Sequence, residues 1–256
     1  MRVTLLPSTV PEPGQPARQF LTSYLLNDTV ALDAGCLGLH RTPREQARVR
    51  HILVSHTHLD HLASLPMFLD NTYQAAPDCV TVYGNEAVLE CLRRDLFNDR
   101  LWPDFIRLSG ERPPFLKLER LEPGRPVEID GLRVTPVPVD HAVPTLGFLV
   151  EDGSAAVVFP SDTGPTEEIW RRANAADNLR AVFLEATFPQ AMAGLAEISR
   201  HFTPSLFAAE VRKLRRPARV IAVHISPRFY PQVVEELRAL GLPDLEIGEP
   251  GKMYEF

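Results

Sequence analysis

The segment His56–His61 reads HTHLDH and places three imidazoles and one carboxylate within six residues. Imidazole nitrogens and carboxylate oxygens are ligands of zinc and of similar divalent ions. One ion does not need all four groups, and alternate residues of an extended loop point to opposite sides. A loop that turns at Leu59 therefore offers His56 and His58 to one ion, and Asp60 and His61 to a second. The alternative is a solvated polar loop whose histidines share no role.

Three further ligand-type residues, His141, Asp162 and His224, each end or follow an apolar run that predicts a strand. Because α/β folds gather their sites at strand ends, separate strands can bring these groups to one place. Taken singly, His141 and His224 also fit hydrogen-bonded core histidines, and Asp162 fits the cap of the following helix. The remaining histidines, His40 and His51, are predicted to be structural or surface residues.

The elements that must position these groups alternate along the chain. Apolar alternation and turn residues predict strands at 20–26, 29–33, 51–55, 80–83, 146–151, 155–159, 181–185 and 219–224, with a β-meander over 115–139. Helical spacing predicts helices at 42–50, 62–74, 86–97, 166–173, 204–214 and 231–240. Together they predict an α/β protein, a four-layer αββα sandwich with helices outside two sheets, in one domain of residues 1–256.

Composition excludes several classes of protein. The chain has 256 residues, 45% of them apolar and 23% charged, which is typical of a globular protein. Its net charge of -6 removes the overall electrostatic argument for coating nucleic acid. Cys36, Cys79 and Cys91 form no CxxC pair, which favours reduced thiols and a cytoplasmic location. No apolar run has membrane-spanning length, and the first residues do not make a signal peptide.

The HxHxDH loop followed in order by His141, Asp162 and His224 resembles the metallo-β-lactamase superfamily. The resemblance implies an αββα sandwich with a dinuclear site at one edge. It implies that His56, His58 and His141 hold one ion, that Asp60, His61 and His224 hold the other, and that Asp162 bridges them. Zinc is the expected metal, with manganese or iron as alternatives. With an aspartate at the bridging position, this sequence is similar to the branches of the superfamily that hydrolyse esters, thioesters and phosphodiesters.

Three segments are more specifically similar to the class II cyclic-nucleotide phosphodiesterases. They are the loop Ser55–Leu65, the opening hairpin Thr22–Gly35, and Ser161–Thr166, which runs into Ile169 and Trp170. This resemblance implies a small phosphodiester substrate, and it favours a 3′,5′-cyclic nucleotide hydrolysed to the nucleoside 5′-monophosphate.

The segments Glu185–Phe188 and His201–Pro204 resemble paired loops of the transfer-RNA 3′-processing endonucleases and of related phosphodiesterases. In the endonucleases a glutamate and a histidine of these loops assist proton transfer. By that resemblance His201, oriented by Glu185, protonates the leaving oxygen. Catalysis is therefore assigned to His201 and Glu185 together with the ligand Asp60. The alternative is that Glu185 is an ion-pair partner at a strand end and His201 a solvated cap residue.

Two further carboxylates, Asp33 and Asp140, lie close in sequence to strand ends or to predicted ligands. They either orient ligand histidines or have turn and cap roles. The stretch Phe97–Leu108 carries Phe and Leu side chains that form either a homodimer face or a lid over the pocket.

Other functions share the ligand set. A transfer-RNA 3′ endonuclease also needs a basic arm that holds RNA, but Asp99–Pro114 balances its Arg residues with Asp and Glu, so nucleic acid is not the expected partner. Thioesterases of the glyoxalase II type and lactonases match as well, although the former usually add a C-terminal helical domain. A non-catalytic nucleotide or metal sensor is the hypothesis from a different class, and the complete ligand set disfavours it.

Overall fold

The structure, a computed structural model, describes residues 1–8, 18–74, 78–110 and 113–256. Within these ranges the strands form two seven-stranded sheets. In spatial order the first sheet comprises β14 (Met253–Glu255), β1 (Arg2–Leu5), β2 (Tyr24–Leu26), β3 (Val30–Leu32), β4 (His51–Leu53), β5 (Val80–Gly84) and β6 (Leu116–Arg120). The second comprises β13 (Leu245–Ile247), β12 (Arg219–Val223), β11 (Leu179–Glu185), β10 (Ala156–Ser161), β9 (Thr145–Glu151), β8 (Leu132–Val139) and β7 (Val127–Ile129).

The direction of the strands decides where the functional groups lie. Strands β3 to β6 run parallel to one another, as do β10 to β13. Strand β8 has the same direction as β10, because both pair antiparallel with β9. The carboxyl ends of the strands within each parallel set therefore meet at one edge of their sheet, where α/β folds place their sites.

Helices cover the outer faces of both sheets. In chain order they are α1 (Pro43–Gln46), α2 (Leu59–Leu62), α3 (Leu65–Thr72), α4 (Glu86–Cys91), α5 (Phe105–Leu108), α6 (Glu168–Ala175), α7 (Ala193–Ser199), α8 (Pro204–Val211) and α9 (Tyr230–Ala239). Buried side chains of α2 to α5 pack on the first sheet, and those of α6, α8 and α9 pack on the second. Among the described residues, no helix combines the length and the apolar character needed to cross a membrane.

A third group of buried side chains lies between the two sheets. Leu26 and Leu53 of the first sheet meet Phe148, Phe159 and Phe183 of the second. These rings are at most 2% exposed, so the sheets bury one continuous apolar interface. Helix, sheet, sheet and helix follow one another, which confirms the predicted four-layer αββα sandwich.

The β-meander predicted over residues 115–139 is confirmed in its second hairpin, where β7 and β8 pair antiparallel, but it is wrong in its first connection. Strand β6 pairs parallel with β5 in the first sheet, whereas β7 pairs with β8 in the second. The turn residues Pro123-Gly124 therefore lie in a crossing between the sheets rather than in a hairpin. Alternation of apolar residues reports that a strand has a buried face, but it does not report which sheet the strand joins.

Several predicted helices differ in extent from those observed. The helix that begins after Thr42 is α1, which ends at Gln46 rather than Arg50, and Thr42 and Glu45 form a capping box at its start. The predicted helix 62–74 is two helices, α2 and α3, with Pro66 in the first turn of α3. The helix predicted at 86–97 continues from α4 as a π-helical turn over Leu92–Leu96.

Residues 99–114 contain α5, and residues 111 and 112 of this stretch lie outside the described ranges. The stacked rings of Phe97 and Phe105 pack against the helices of the first sheet, with ring centroids 5.7 Å apart.

Candidate metal centre

The HTHLDH segment joins β4 to α2. Its backbone is extended through His58, with φ -65° and ψ 143°, and becomes helical at Leu59. The predicted turn at Leu59 is therefore confirmed. His56 lies on the extended part and is fully buried, whereas Asp60 and His61 lie in the first helical turn. The change of backbone conformation separates two pairs of groups that are adjacent in sequence.

The second sheet contributes residues from three strand ends. His141 follows β8, Asp162 follows β10 and His224 follows β12. Ser161 and His224 have φ of 62° and 52°, the left-handed region that non-glycine residues rarely adopt. Such conformations cost about 1–3 kcal/mol each and persist where the surroundings enforce them, which is typical of functional sites. Asp162 does not cap a helix, because α6 begins at Glu168 after Glu167.

All seven predicted ligands lie in two adjoining groups that share one carboxylate. The first group is His56, His58, His141 and Asp162, and the second is Asp60, His61, Asp162 and His224. Within each group the potential ligand atoms lie within 4.8 Å of one another. Oδ2 of the shared Asp162 is 3.6 Å from Nε2 of His56, 3.2 Å from Nε2 of His61 and 3.5 Å from Nε2 of His224.

The remaining short distances show which ring atoms face the centre. Nε2 of His141 lies 3.2 Å from Nδ1 of His58. Nε2 of His224 lies 3.1 Å from Oδ2 of Asp60. The side chains therefore present Nδ1 of His58 and Nε2 of the other four histidines to the centre.

Two buried nitrogen atoms indicate whether a cation fits between the ligand-type residues. Nε2 of His56 and Nε2 of His61 are buried and have no hydrogen-bond partner among the described residues. The 3.2 Å contact between His61 and Asp162 is ionic in distance but lacks hydrogen-bond geometry. Buried polar atoms nearly always have a partner, and divalent ions bind this mixture of nitrogen and oxygen atoms. The residues present therefore fit divalent metal ions.

The charges of the two groups are coupled. Burial and the neighbouring His61 lower the pKa of His56 well below its usual value, so this imidazole stays in the neutral form that binds metal. Burial opposes a charge on Asp162, but the imidazoles of His224 and His61 outweigh it and hold the pKa of Asp162 well below its usual range. Burial also opposes a charge on His224, yet Asp162 and Asp60 raise its pKa to about 9.

Of the two carboxylates predicted to orient ligands, only Asp33 contacts one. Its Oδ2 lies 2.7 Å from Nδ1 of His61, and its two oxygens accept hydrogen bonds from the backbone and hydroxyl of Ser55. Asp140 instead forms a half-exposed ion pair with Arg200. The backbone oxygen of Arg200 lies 3.2 Å from Nδ1 of His141.

Glu185 and His201 meet beside the two groups. Oε1 of Glu185 lies 2.8 Å from Nδ1 of His201, and Glu185 is fully buried, whereas the side chain of His201 is 11% exposed. The His201 ring centroid is 5.0 Å from that of His141 and 5.6 Å from that of His224. Burial disfavours a charge on His201, but Glu185 outweighs it and raises the pKa of His201. An imidazole so placed can hold a proton next to the centre.

Two hydroxyl groups at this site were not predicted from the sequence. Ser55 lies 2.9 Å from Nδ1 of His56, and Thr187 lies 3.0 Å from Nδ1 of His224. Each is a small polar residue in an apolar segment, close in sequence to a predicted ligand or to Glu185. This position in the sequence is the feature from which they could have been predicted. His40 and His51 lie in neither group, and His51 contacts the hydroxyl of Tyr83 instead.

Comparison with known proteins gives one family and several relatives. The family model described as the beta-lactamase superfamily domain matches residues 28–225. A probable 3′,5′-cyclic-nucleotide phosphodiesterase of Yersinia pestis is 25% identical over 226 residues, 78% of this chain but only 63% of that relative. A ribonuclease Z of Listeria monocytogenes serotype 4b is 26% identical over 282 residues, 89% of each chain.

Solved structures share the fold. Unliganded yeast PDE1 superimposes with a TM-score of 0.76 at 17% identity, covering 98% of both chains. The short form of human tRNase Z superimposes with a TM-score of 0.70 at 18% identity, covering 100% of this chain and 99% of the other. At these identities the likeness concerns the fold alone.

Proposed function

The chain belongs to the beta-lactamase superfamily, and from that premise we propose that it is a dinuclear metal-dependent phosphodiesterase. The proposed reaction is hydrolysis of a 3′,5′-cyclic nucleotide to the nucleoside 5′-monophosphate. The observation that carries this proposal is the pair formed by His201 and Glu185 beside the two groups of ligand-type residues.

A proton donor at this place matches the demand of phosphodiester cleavage. The departing alkoxide needs a proton, and a positioned imidazole supplies one with a typical gain of about 10²–10⁴-fold in rate. Glu185 accepts from Nδ1 of His201 at 2.8 Å, which leaves Nε2 as the atom that holds the transferable proton. The carboxylate also stabilises the imidazolium form. Burial lowers the pKa of His201, but Glu185 raises it by more.

The proposed ligands of the two ions correspond to the two groups of residues described above. His56, His58 and His141 would hold one ion, Asp60, His61 and His224 the other, and Asp162 both. Divalent ions at these positions, of which we propose zinc, supply Lewis-acid polarisation of a phosphoryl oxygen and water of lowered pKa. Asp33 and the Arg200 carbonyl orient the ring planes of His61 and His141.

A small substrate is favoured by the charges around Phe97–Leu108. Arg107 of this region pairs with Asp99 at 3.1 Å and with Asp104 at 3.9 Å. A guanidinium that is neutralised by two neighbouring carboxylates contributes little attraction for an RNA backbone. The relative from Yersinia pestis is itself a probable 3′,5′-cyclic-nucleotide phosphodiesterase, and this supports the same substrate class.

A second candidate function is 3′ processing of transfer RNA. The ribonuclease Z relative of Listeria monocytogenes aligns over 89% of its own length, whereas the phosphodiesterase relative aligns over 63%. The segments Glu185–Phe188 and His201–Pro204 are common to both hypotheses.

A single set of assays separates these candidates. The purified protein is analysed for its metal content and is then given 3′,5′-cyclic AMP, a precursor transfer RNA and a thioester in parallel, with chelator-treated protein as control. We expect metal-dependent hydrolysis of the cyclic nucleotide at the highest kcat/KM. Cleavage of the precursor RNA alone would replace the first candidate by the second, and turnover of the thioester alone would contradict both.

We also propose that residues 1–256 act as one catalytic domain in the cytoplasm. Strands β1 and β14 pair with each other in the first sheet, so residues near both ends of the sequence belong to one folded unit. The three cysteines are free thiols, as expected in a reducing compartment.

A further inference from the structure

Thr187 lies where the proposed metal centre meets the proposed proton donor. The residue is 6% exposed. Its Oγ1 lies 2.6 Å from Oε2 of Glu185, 3.0 Å from Nδ1 of His224 and 3.2 Å from Nδ1 of His201. One hydroxyl group therefore contacts a carboxylate, an imidazole of the second group and the imidazole that Glu185 holds.

The direction of each hydrogen bond follows from what Glu185 can do. Its carboxylate is fully buried and accepts from the backbone N–H groups of Thr163 at 3.0 Å and Phe202 at 3.1 Å and from His201 at 2.8 Å. A carboxylate surrounded by donors acts only as an acceptor, so the hydroxyl proton of Thr187 points to Oε2. The backbone oxygen of His224, 3.1 Å from Thr187, is a longer and uncharged alternative for the same proton.

Once that proton is committed, Thr187 can only accept from His224. Nδ1 of His224 must then carry a proton, so Nε2 is the nitrogen that can lose its proton and bind a metal. Nε2 is the atom 3.1 Å from Asp60 and 3.5 Å from Asp162. When the imidazole of His224 is neutral, the hydroxyl thus selects the tautomer whose free nitrogen faces the other oxygen ligands.

We propose that Thr187 is a positioning residue that fixes His224 in its metal-binding tautomer and does so through the same carboxylate, Glu185, that orients His201. The inference rests on the proposed function for the identity of His224 as a ligand. Thr187 contacts Glu185, His201 and His224, and it acts on both metal binding and proton transfer through these neighbours. One hydrogen-bond chain thereby couples the occupancy of the second metal position to the orientation of the proton donor.

The first group contains the same arrangement. The hydroxyl of Ser55 donates to Asp33 at 2.8 Å and lies 2.9 Å from Nδ1 of His56. A carboxylate, a hydroxyl and Nδ1 of a predicted ligand therefore occur in the same order in both sheets. This recurrence supports a role for the hydroxyl that is specific to the imidazole, beyond the packing of a small side chain.

The test measures metal affinity without substrate. Co²⁺ is titrated into metal-free protein, and binding is followed by visible absorption and by calorimetry for the unmodified chain and for Thr187→Val, Thr187→Ala and Thr187→Ser. We expect two ions per chain in the unmodified protein and a 10–100-fold weaker second ion in the Val and Ala variants, about the loss typical of outer partners of metal ligands. The Ser variant keeps the hydroxyl and is expected to retain both affinities within about threefold.

A matched control removes a buried threonine hydroxyl elsewhere. Thr72 in α3 donates to the backbone oxygen of Phe68, and Thr72→Val is expected to bind both ions normally. Equal affinities in the unmodified chain and in the Val and Ala variants would overturn the role of Thr187, as would a Ser variant as weak as Val. Failure of the unmodified chain to bind Co²⁺ would instead overturn the proposed function, and the Ala variant remains informative if the Val variant does not fold.

Discussion

The two halves of the candidate metal centre are built in different ways. In the contiguous half, His56 to His61, four groups come from one loop and one helical turn. In the dispersed half, His141, Asp162 and His224 come from three strand ends of the second sheet. The contiguous half takes its geometry from a local change of backbone conformation. The dispersed half takes it from the sheet and from the contact between sheets.

The relative position of the two halves depends on the packing between the sheets. Asp60 and His61 of the first sheet meet Asp162 and His224 of the second only because the sheets pack face to face. The packing rests on aromatic side chains such as Tyr24 and Phe159, whose ring centroids are 5.3 Å apart. Disturbance of this interface should move the two halves relative to each other while leaving each internally intact.

The largest effect is expected from the carboxylate that belongs to both groups. In Asp162→Ala the shared oxygen is lost, so we expect loss of bound metal and loss of hydrolysis together. The loss of activity should exceed the factor of about 10²–10⁴ attributable to a proton donor. Elemental analysis and phosphodiesterase assays measure both quantities.

The control for Asp162→Ala is Asp177→Ala, which removes an almost fully exposed carboxylate. It should keep both properties. Full activity in Asp162→Ala would contradict the role assigned to the shared carboxylate.

A smaller effect, confined to the chemical step, is expected from His201→Ala. The metal content should be unchanged, because the predicted ligands remain. We expect kcat for a cyclic nucleotide to fall about 10²–10⁴-fold. A substrate with a p-nitrophenolate leaving group needs no proton donor, so its kcat should fall far less.

Equal losses of kcat with both leaving groups would show that His201 acts other than as the proton donor. Loss of metal in this variant would place His201 with the dispersed half as a ligand.

The contiguous half was open to prediction from sequence because its spacing is local. The position of the turn at Leu59 followed from four ligand-type residues within six positions. The residues of the dispersed half were found as single polar groups at the ends of apolar runs, and their convergence depended on a family resemblance. The hydroxyls of Ser55 and Thr187 were not found, because a role in hydrogen bonding depends on partners that are distant in sequence, such as Asp33.

The fold shows the same division between local and long-range information. The hairpin of β2 and β3 and the helices with clear apolar spacing were predicted from nearby residues. The crossing from β6 to β7 was missed, because a Pro-Gly turn looks alike within a hairpin and between sheets. The short strands β13 and β14, with three residues each, were not predicted either.

A moderate effect is expected from the interface between the sheets. Phe183→Leu leaves space beside Tyr24 and Phe159 and should lower the free energy of unfolding by about 1–3 kcal/mol. Because the two halves lose their fixed separation, the metal affinity should fall by about tenfold. Urea unfolding and metal titration measure the two effects.

The matched variant is Phe68→Leu, which weakens the packing of α3 on the outer face of the first sheet. It should lower stability by a similar amount and leave metal affinity nearly unchanged. Equal losses of affinity in the two variants would remove the distinction between a local half and a half that depends on the interface.

The smallest effect concerns a contact between the sheets that lies away from the centre. Glu246 of β13 pairs with Arg219 at 2.8 Å and with Lys252, which precedes β14 in the first sheet. Burial raises the pKa of Glu246, but Lys252 and Arg219 outweigh it and leave the pKa below its usual value. Since the folded pKa is the lower one, the contribution to stability is present above the unfolded pKa and is lost as the pH falls through the folded value.

Glu246→Gln should therefore lower the free energy of unfolding by up to about 1 kcal/mol at neutral pH, with the difference from the unmodified chain vanishing as the pH falls through the folded pKa of Glu246. Metal affinity at neutral pH should not change, because a contact between strands at the edges of the sheets does not set the distance between the two halves. Urea unfolding at several pH values measures the first effect, with Glu128→Gln at an exposed position of β7 as the control. A loss of metal affinity in Glu246→Gln would mean that the edges of the sheets, and not only their aromatic interface, hold the dispersed ligands in place.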